Sequence, residues 1–523
     1  MKYSILAYLA LVCSTVLANS SPASPDKLDN QDNQELGGPT VGDSTKWEVV
    51  QLTEYCRHGA RTAFAVFPNS TNATEVEKFG NGILTPNGHR MHYILGRQLR
   101  QNYPSIFNDS KPLTNFDMEV FASAVPRTQL SALSQLAGLY PFGTGANITV
   151  NDSRFLNPAY DHIDYVFKGN YSLPEAYRAF PLNIKSAELD FLFLPNDGKE
   201  SCPGGYETNS VLRKKAYNKY KYLVGDLGDR LEEAGFSSKG LYNKLEWDIG
   251  SLGQLASEML CYQNYYDRVH PDLPPDVWTR LERFQSFKFF MDYLDPRQLR
   301  LKGEVSARAI LQGMENFVRG DPYKRKFRLF SGHDTGLYPH TIFFGLTDLE
   351  CNLDMVQGIT PKRRCEGAPK FASQFIYELL KNRNNGRFYV RVLYDSKPFQ
   401  VCDTNEDDYY CEFDLFKKTY SKLMFEDPRV FIEVCGNRQR INAELTEDAW
   451  KLRETGSLAI SLIGGGFCLV ILSLIVWRCF KIKQSLEHEE ELLLYGKRDE
   501  EVKRSLMEPM VEEPTKFEET QKL

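Results

Sequence analysis

The sequence predicts an α/β fold, in which a helical region is inserted into a core with a mainly parallel sheet. A signal peptide and one C-terminal transmembrane helix are also expected. Three observations support this prediction. Strand-like and helix-like segments alternate in two parts of the chain, 46–165 and 299–440. The stretch between them, 166–298, is amphipathic and aromatic-rich without a strand pattern, and apolar runs lie near both ends of the chain.

The composition of the 523-residue chain is that of an ordinary globular protein, with 42% apolar residues, 25% charged residues and a formal net charge of −6. No basic stripe stands out, which argues against a nucleic-acid partner. An anionic ligand must therefore be held by a local cluster of cations and not by the overall field of the protein.

The two ends of the chain predict a type I single-pass membrane protein. Residues 1–18 have a basic start, an apolar run and small residues at the end, which is typical of a signal peptide. Residues 19–45, rich in Ser, Pro, Asp and Asn, are expected to form a flexible lead-in. Residues 456–477 carry no charge, and as a helix they would span about 33 Å, enough for a bilayer. Basic residues follow at once, so 478–523 is expected to be a cytoplasmic tail.

This topology would place most of the chain in an oxidising lumen, where glycosylation and disulfides are possible. Glycosylation sequons stand at Asn69, Asn72, Asn108, Asn147, Asn151 and Asn170. Eight cysteines belong to the luminal part: Cys56, Cys202, Cys261, Cys351, Cys365, Cys402, Cys411 and Cys435. Spacing alone does not pair them.

The order of elements follows from hydrophobic periodicity and from helix-start and turn signals. The first core segment predicts strand Trp47–Tyr55, helix Thr85–Tyr103, strand Phe116–Ala122 and helix Leu130–Leu139. The insertion predicts helices at Ser210–Ala234, Leu241–Tyr266 and Pro275–Leu294. The second core segment predicts helix Glu304–Val318, strand Phe327–Phe330 and a hairpin of Phe371–Leu379 with Phe388–Tyr394, joined across Asn384-Asn385-Gly386.

Cationic and imidazole side chains follow three of these strands directly. Arg57-His58-Gly59-Ala60-Arg61 follows the first, Arg127 the second, and Gly332-His333-Asp334 the third. In an open α/β sheet, ligands gather beyond the carboxyl ends of the strands, so these side chains are expected to converge. Arginine matches the geometry of phosphate oxygens, and a histidine surrounded by fixed positive charge is a poor base but a good nucleophile. The motifs therefore predict a phosphate site.

The same residues suggest a reaction. A neutral His58 would attack phosphorus and form a covalent phosphohistidine, which divides one displacement into two. Asp334, kept protonated beside a phosphate dianion, would protonate the leaving alkoxide and later activate water. The guanidinium groups of Arg57, Arg61 and Arg127 neutralise the charge, so this chemistry requires no metal or other cofactor.

In these motifs the sequence resembles the histidine acid phosphatase family over about Trp47 to Cys435. The resemblance includes LTPNGHRMHYILGRQLRQNY, VPRTQLSALSQLAGLYP, SGHDTGL and APKFASQFIYEL. It implies that His58 is the nucleophile and Asp334 the proton donor. Arg57, Arg61, Arg127 and His333 would be the phosphate ligands, and a helical cap would occupy mid-chain. It also implies the disulfides Cys202–Cys435, Cys261–Cys351 and Cys402–Cys411, leaving Cys365 and a packed Cys56 thiol. One departure is Ala63, where the family usually has proline.

The sequence also bears on several alternative sites and functions. A cysteine phosphatase needs five residues between its thiolate and arginine, and Cys56 and Arg61 have four between them. A two-metal site is not supported, because Asp226 and Asp229 stand without histidines. His89 and His92 are expected at the surface. His162 is expected in a surface loop and His340 in a structural position. A catalytically silent membrane receptor is the non-enzyme alternative.

Substrate and location are less constrained. Broad hydrolysis of phosphate monoesters is expected, with selectivity for inositol phosphates or lysophosphatidate as the alternative. The tail residues Glu489, Leu493 and Leu494 fit an acidic dileucine sorting signal for an adaptor, and a short amphipathic fragment fits equally well. Together with the resemblance, this signal favours the lysosomal or endosomal membrane over the plasma membrane. A homodimer is possible by analogy with the family.

Overall fold

The computed structural model describes residues 45–64, 78–108, 113–114, 116–148, 171–187, 190–193, 202–322, 324–402 and 409–436. The predicted signal peptide, the membrane segment, the tail and most of the lead-in lie outside these residues. Asn69, Asn72, Asn151, Asn170 and His162 also lie outside them, whereas Asn108 and Asn147 are described and exposed. No helix in the described ranges is both long and apolar enough to cross a membrane.

An eight-stranded sheet forms the centre of the fold. Its strands are β1 (Trp47–Arg57), β2 (Met118–Ala122), β3 (Asn183–Ile184), β4 (Phe327–Gly332), β5 (Gln374–Asn382), β6 (Phe388–Tyr394), β7 (Lys397–Phe399) and β8 (Cys411–Glu412). Their order is β3-β2-β4-β1-β5-β6-β7, with β8 pairing on β6. β1 is almost entirely buried, as a strand with neighbours on both edges and helices on its faces should be.

The prediction of a mainly parallel sheet is wrong, because the sheet is mixed. β1 to β4 pair in parallel with one another, whereas β5 runs antiparallel to β1, and β6, β7 and β8 join by antiparallel pairs. The physical reason lies in the connections. β5, β6 and β7 follow one another through short turns, and such turns join only antiparallel neighbours. The predicted hairpin across Gly386, whose φ is +71°, is confirmed.

The described residues form twelve α-helices between and after these strands. They are α1 (Pro86–Asn102), α2 (Pro126–Leu139), α3 (Pro203–Tyr220), α4 (Leu227–Glu233), α5 (Ser238–Tyr242), α6 (Ile249–Tyr266), α7 (Pro275–Phe290), α8 (Pro296–Val318), α9 (Asp334–Phe343), α10 (Leu349–Gln357), α11 (Phe413–Tyr420) and α12 (Pro428–Cys435). α1 begins where predicted, because the Thr85 hydroxyl accepts the Gly88 N–H and proline follows at the first helical position.

The helices α3 to α7 enclose an aromatic core of their own, which includes Trp247, Trp278 and Phe287. They are shorter than the predicted helices. Gly225 has a positive φ and interrupts the segment 210–234, and Gly235, also with a positive φ, directly follows this segment. Asp248 caps α6 with a reciprocal capping box, so that helix begins at Ile249. The short strand β3 also lies within 166–298, where only helices were predicted, and it extends the sheet beside β2.

The described residues contain three disulfides: Cys202–Cys435, Cys351–Cys365 and Cys402–Cys411. The first and third confirm the pairs that the resemblance implied. The implied pair Cys261–Cys351 is wrong, because Cys365 lies in the loop that follows α10 and reaches Cys351 first. Cys261 is instead a buried thiol of α6, whose Sγ lies 3.2 Å from the Ser257 carbonyl oxygen.

Candidate active site

The register of three neighbouring strands brings the predicted site residues together. Arg57 at the end of β1 pairs with Gly332 at the end of β4, and Ala122 of β2 pairs with Ser331. The backbone N–H of His58 donates to the Gly332 carbonyl oxygen at 2.9 Å. The two imidazole rings that follow these strands, His58 and His333, therefore lie edge to face with their centroids 5.4 Å apart.

Gly59 is required by the packing of the first motif. A Cβ atom at this position would lie 2.3 Å from the carbonyl oxygen of Gly88 in the first turn of α1. Only a glycine pair allows the strand end and the helix to approach this closely. The Gly59 N–H also donates to the Ser131 hydroxyl of α2 at 3.1 Å, which fixes the turn that carries His58.

One nitrogen of His58 is occupied and the other remains available. Nδ1 lies 2.8 Å from the carbonyl oxygen of Gly59, which can only accept, so Nδ1 carries the proton of the neutral ring. The lone pair is then on Nε2. The pKa of His58 lies well below its usual value, first because the ring is buried and then because Arg127 and Arg57 are close. The ring is therefore neutral at acid pH, with its proton on Nδ1 and its lone pair on Nε2.

Arg57, at the end of β1, contacts Asp334 at the start of α9 and the loop residues Pro369 and Phe371. Its Nη2 is 2.7 Å from Asp334 Oδ2, and its Nη1 donates to the Pro369 carbonyl oxygen at 2.6 Å. Its guanidinium also lies 4.2 Å over the Phe371 ring. Asp334 is the first residue of α9, and its Oδ1 accepts the Thr335 N–H. This carboxylate therefore combines a helix-start position with a contact to the cation beside His58.

His333 and Arg127 form the third part of the site. The Nη2 of Arg127 lies 3.4 Å from His333 Nδ1, and His333 Nε2 lies 2.9 Å from the Ser123 hydroxyl. Burial lowers the pKa of Arg127 to about 10, and the neighbouring Arg61 adds to this effect. Burial, Arg127 and Arg57 together hold the pKa of His333 well below its usual value. The site is thus a buried concentration of positive charge.

The helical insertion contributes residues that the sequence analysis did not identify. Glu258 of α6 is fully buried, accepts the Phe64 N–H at 2.8 Å and lies 3.6 Å from Arg61. Gln254 donates to the same carboxylate at 2.6 Å and accepts from Lys288 of α7. These side chains are nearly 200 residues from Arg61 in sequence, and no motif surrounds them, so the sequence held no signal for their position.

A second polar network lies beside the end of β1, where His58 follows. The expectation that His92 is a surface residue is wrong: it is fully buried, with Nδ1 2.9 Å from Gln135 Oε1 and Nε2 3.1 Å from the Arg57 carbonyl oxygen. Gln135 also donates to Glu54, whose burial raises its pKa to about 8. Since Arg57 directly precedes His58, this network holds the backbone at the end of β1. His89 is partly exposed, with Nδ1 2.6 Å from the Ser134 hydroxyl.

Replacing Glu54 with glutamine should flatten the fall of stability between pH 6.5 and 8. The pKa of Glu54 is raised by folding, so between pH 4.5 and 8 the folded protein holds a proton that the unfolded chain has lost, and stability falls as the pH rises. Below pH 6.5 the buried histidines act in the opposite direction, because their pKa values are lowered and the unfolded chain binds more protons.

Between pH 6.5 and 8 the titration of Glu54 lowers the free energy of unfolding by about 2 kcal/mol. We expect the thermal midpoint of the native protein to fall by a few degrees over this range relative to that of Glu54→Gln, because the histidines contribute equally to both proteins. Glu48→Gln, on an exposed side chain of the same strand, is the control and should behave like the native protein. If the thermal midpoint of Glu54→Gln had the same pH dependence as that of the native protein, the raised pKa of Glu54 would be contradicted.

The other candidates for chemistry lie outside the site. His340 is buried with Nε2 on the Ser306 hydroxyl and Nδ1 near the hydroxyls of Tyr377 and Tyr420, as a structural histidine would be. The Cys56 thiol is buried, and burial raises its pKa well above the usual value, which is unfavourable for a thiolate nucleophile. The described residues contain no cluster of His, Cys, Asp and Glu side chains that could hold a metal ion.

The model of the histidine phosphatase superfamily (branch 2) matches residues 65–395. The chain belongs to this superfamily. The matched range includes Arg127, His333 and Asp334 and begins shortly after Arg57-His58-Gly59-Ala60-Arg61.

Relatives of this histidine phosphatase include lysosomal acid phosphatases from Xenopus laevis, Homo sapiens and Rattus norvegicus. They are 24%, 26% and 35% identical, each over 66% of this chain, and the matches cover 69%, 70% and 71% of the relatives. Among solved structures, the apo form of Hafnia alvei phytase is similar, with a TM-score of 0.46 and 14% identity over 75% of this chain and 98% of that one. The family and the sequence relatives confirm the predicted enzyme class, a histidine-type acid phosphatase that hydrolyses phosphoric monoesters.

Proposed function

We propose that this histidine phosphatase hydrolyses phosphate monoesters through a covalent phosphohistidine on Nε2 of His58. The observation that carries the proposal is that the buried His58 ring is neutral, with Nδ1 against the Gly59 carbonyl oxygen and the lone pair on Nε2. A solvent-exposed histidine, with a pKa near 6.5, is mostly protonated in an acidic compartment and cannot attack phosphorus. Burial and two neighbouring arginines keep the pKa of His58 far lower, so the nucleophile stays neutral at acid pH.

Arg57, Arg61, Arg127 and His333 are the proposed ligands of the phosphoryl oxygens. The Nε atoms of Arg57 and Arg127 are buried and lack a hydrogen-bond partner in the described part of the chain, so donors are available for a bound anion. Three guanidinium groups in a site of low dielectric neutralise the charge of the transferring phosphoryl group. Their preorganisation replaces the role of a metal ion in the proposed mechanism.

Asp334 is the proposed proton donor. Without substrate its carboxylate is paired with Arg57 at 2.7 Å. A phosphate dianion beside Arg57 would compete for that guanidinium, and its charge would favour the protonated carboxyl. Asp334 would then give its proton to the leaving alkoxide while Nε2 bonds to phosphorus. The resulting carboxylate would next accept a proton from the water that hydrolyses the phosphohistidine.

The proposed setting is the lumen of the lysosome. The lysosomal relatives support that location, and the apolar segment 456–477 supports a single-pass type I anchor with the site on the luminal side. We further propose that 166–298 forms a cap over the phosphate site, a role supported by the contact of Glu258 with Arg61 and Phe64. Glycans at the exposed Asn108 and Asn147, and sorting through Glu489, Leu493 and Leu494, complete the proposal.

Trapping of the intermediate tests the mechanism. The protein is mixed with a ³²P-labelled monoester at acid pH, and the reaction is quenched in alkaline detergent, which preserves a phosphoramidate bond. We expect a label that is stable in alkali, lost in acid and located in the peptide that contains His58. His58→Asn should remove it and His89→Asn should not. A label that is lost in alkali would indicate an acyl phosphate and would exclude His58 as the nucleophile.

A further inference from the structure

A large cavity lies beside the phosphate site and has no part in the mechanism above. Its volume is about 980 Å³, at the upper end of the range for small-molecule sites. It lies between α1, α6, α7, α10 and the loop 358–371. Arg57 and Phe371 line it, whereas His58, Arg61, Arg127, His333 and Asp334 do not. A molecule in the cavity would therefore touch the phosphate site through Arg57 and Phe371 without reaching the nucleophile.

Much of the cavity wall is apolar. Met91 and Ile94 of α1, Leu260 of α6, Met355 of α10 and Ile359 contribute aliphatic or thioether surface. Ile94 is 41% exposed and Ile359 is 51% exposed, so part of this apolar wall is in contact with water. Covering them with an apolar group would remove that surface from water and favour binding.

The charged side chains of the cavity are mainly cationic. Arg57, Arg90, Arg283 and Lys370 line it together with the acidic Asp267 and Glu282. In the described ranges no carboxylate forms an ion pair with Arg90 or Arg283, so their charge is available. The guanidinium of Arg283 lies against Gly358, where an added Cβ would be 2.5 Å from Nη1. The glycine thus leaves room for this cation at the cavity wall.

We propose that the cavity binds an amphiphilic anion, an apolar chain with one acidic head group, and that this ligand weakens substrate binding. The path of the effect is short. The guanidinium of Arg57 contacts both Asp334 and the Phe371 ring, and that ring lies 5.8 Å from the His58 ring. An anion beside Arg57 engages its positive charge and its donors, so less of both remains for the phosphate of the substrate.

The binding test uses 1-decanesulfonate, which stays ionised at acid pH, below its micellar concentration. Calorimetry is performed on the whole protein with inorganic phosphate at saturation, which occupies the His58 site. We expect one molecule bound per chain, no binding of ethanesulfonate and no binding of decyltrimethylammonium. Because the coupling is reciprocal, phosphate should weaken decanesulfonate binding by the same several-fold factor. Complete displacement of the ligand by phosphate, binding of several molecules per chain, or equal binding of the cationic amphiphile would each overturn the proposal.

Variants locate the site. Arg283→Gln and Arg90→Gln should each weaken decanesulfonate binding by about tenfold, as expected for the loss of a charged contact, without changing kcat or KM in its absence. Arg268→Gln, an exposed arginine after α6 that does not line the cavity, should change nothing. If all three substitutions changed the affinity for decanesulfonate equally, the assignment of the binding site to this cavity would be wrong.

The effect on substrate binding is the part that depends on the proposed function. Decanesulfonate should raise KM several-fold in the native protein and less in Arg283→Gln. Unchanged kinetics despite site-specific binding would overturn the coupling through Arg57. Loss of the phosphohistidine mechanism alone would leave the calorimetric result intact.

Discussion

Replacing His58 with alanine should lower kcat for p-nitrophenyl phosphate by at least about four orders of magnitude, because removing a covalent nucleophile removes the whole reaction path. The rest of the site would remain assembled. Arg57 is held by Pro369 and Asp334, and His333 by Ser123, and none of these contacts passes through the His58 ring. Binding of vanadate or phosphate should therefore persist within about tenfold while turnover disappears.

The matched control is His89→Ala, which removes a partly exposed imidazole of α1 that is hydrogen-bonded to the Ser134 hydroxyl. It should keep kcat within about twofold. A second measurement guards against misfolding: the thermal midpoint of His58→Ala should rise with phosphate as that of the native protein does. Turnover that survives in His58→Ala would exclude His58 as the nucleophile. If the native protein were as slow as this variant, the catalytically silent receptor would be the better explanation.

The strand ends could be predicted because their chemistry is local. A β-type run followed directly by Arg57 and His58, and another followed by His333 and Asp334, requires only that both strands are adjacent and parallel. The structure places Arg57 beside Gly332 accordingly. The preference of ligands for the carboxyl ends of strands then brings the side chains to one edge. The positions of these four residues at two strand ends were therefore enough to predict most of the arrangement of the site.

The residues that the sequence did not reveal are those whose environment is set by distant packing. His92 has helical spacing typical of a half-exposed face, and it is the contact of α1 with α2 and β1 that buries it. Glu258 and Lys288 occupy ordinary positions of amphipathic helices, and their approach to the site depends on how α6 and α7 pack against the core. The pairing of Cys351 with Cys365 depends likewise on the loop after α10, which no pattern predicts.

The same distinction applies to the sheet. The alternation of strands and helices in the two core segments predicted parallel pairing, and the predicted strands β1, β2 and β4 follow it. After α10 the chain forms hairpins, and the turn residues at Asn384-Asn385-Gly386 did predict one of them. No pattern in the sequence predicted where that hairpin pairs relative to β1. The pairing of β1 with β5 is a contact between segments more than 300 residues apart, and it decides the mixed character of the sheet.

Replacing Asp334 with asparagine should separate leaving groups by their need for a proton. An alkyl phosphate releases a strongly basic alkoxide, so phosphorylation of His58 should slow by about 10² to 10⁴-fold without the donor. p-Nitrophenolate leaves without protonation, and its release should slow by less than about tenfold. Rapid-mixing measurements of the first turnover make the comparison, because they report formation of the phosphohistidine before its hydrolysis.

The steady state of the same variant should behave differently. Asp334 is also the proposed base for the attacking water, so p-nitrophenyl phosphate should give a rapid burst of one product per site followed by slow turnover. The comparison also separates the two contacts of this carboxylate. If Asp334 served only to hold Arg57 at 2.7 Å, asparagine would weaken phosphate binding equally for both esters and no burst would appear. Equal slowing of both esters in the first turnover would therefore assign Asp334 to positioning Arg57 and exclude it as the proton donor.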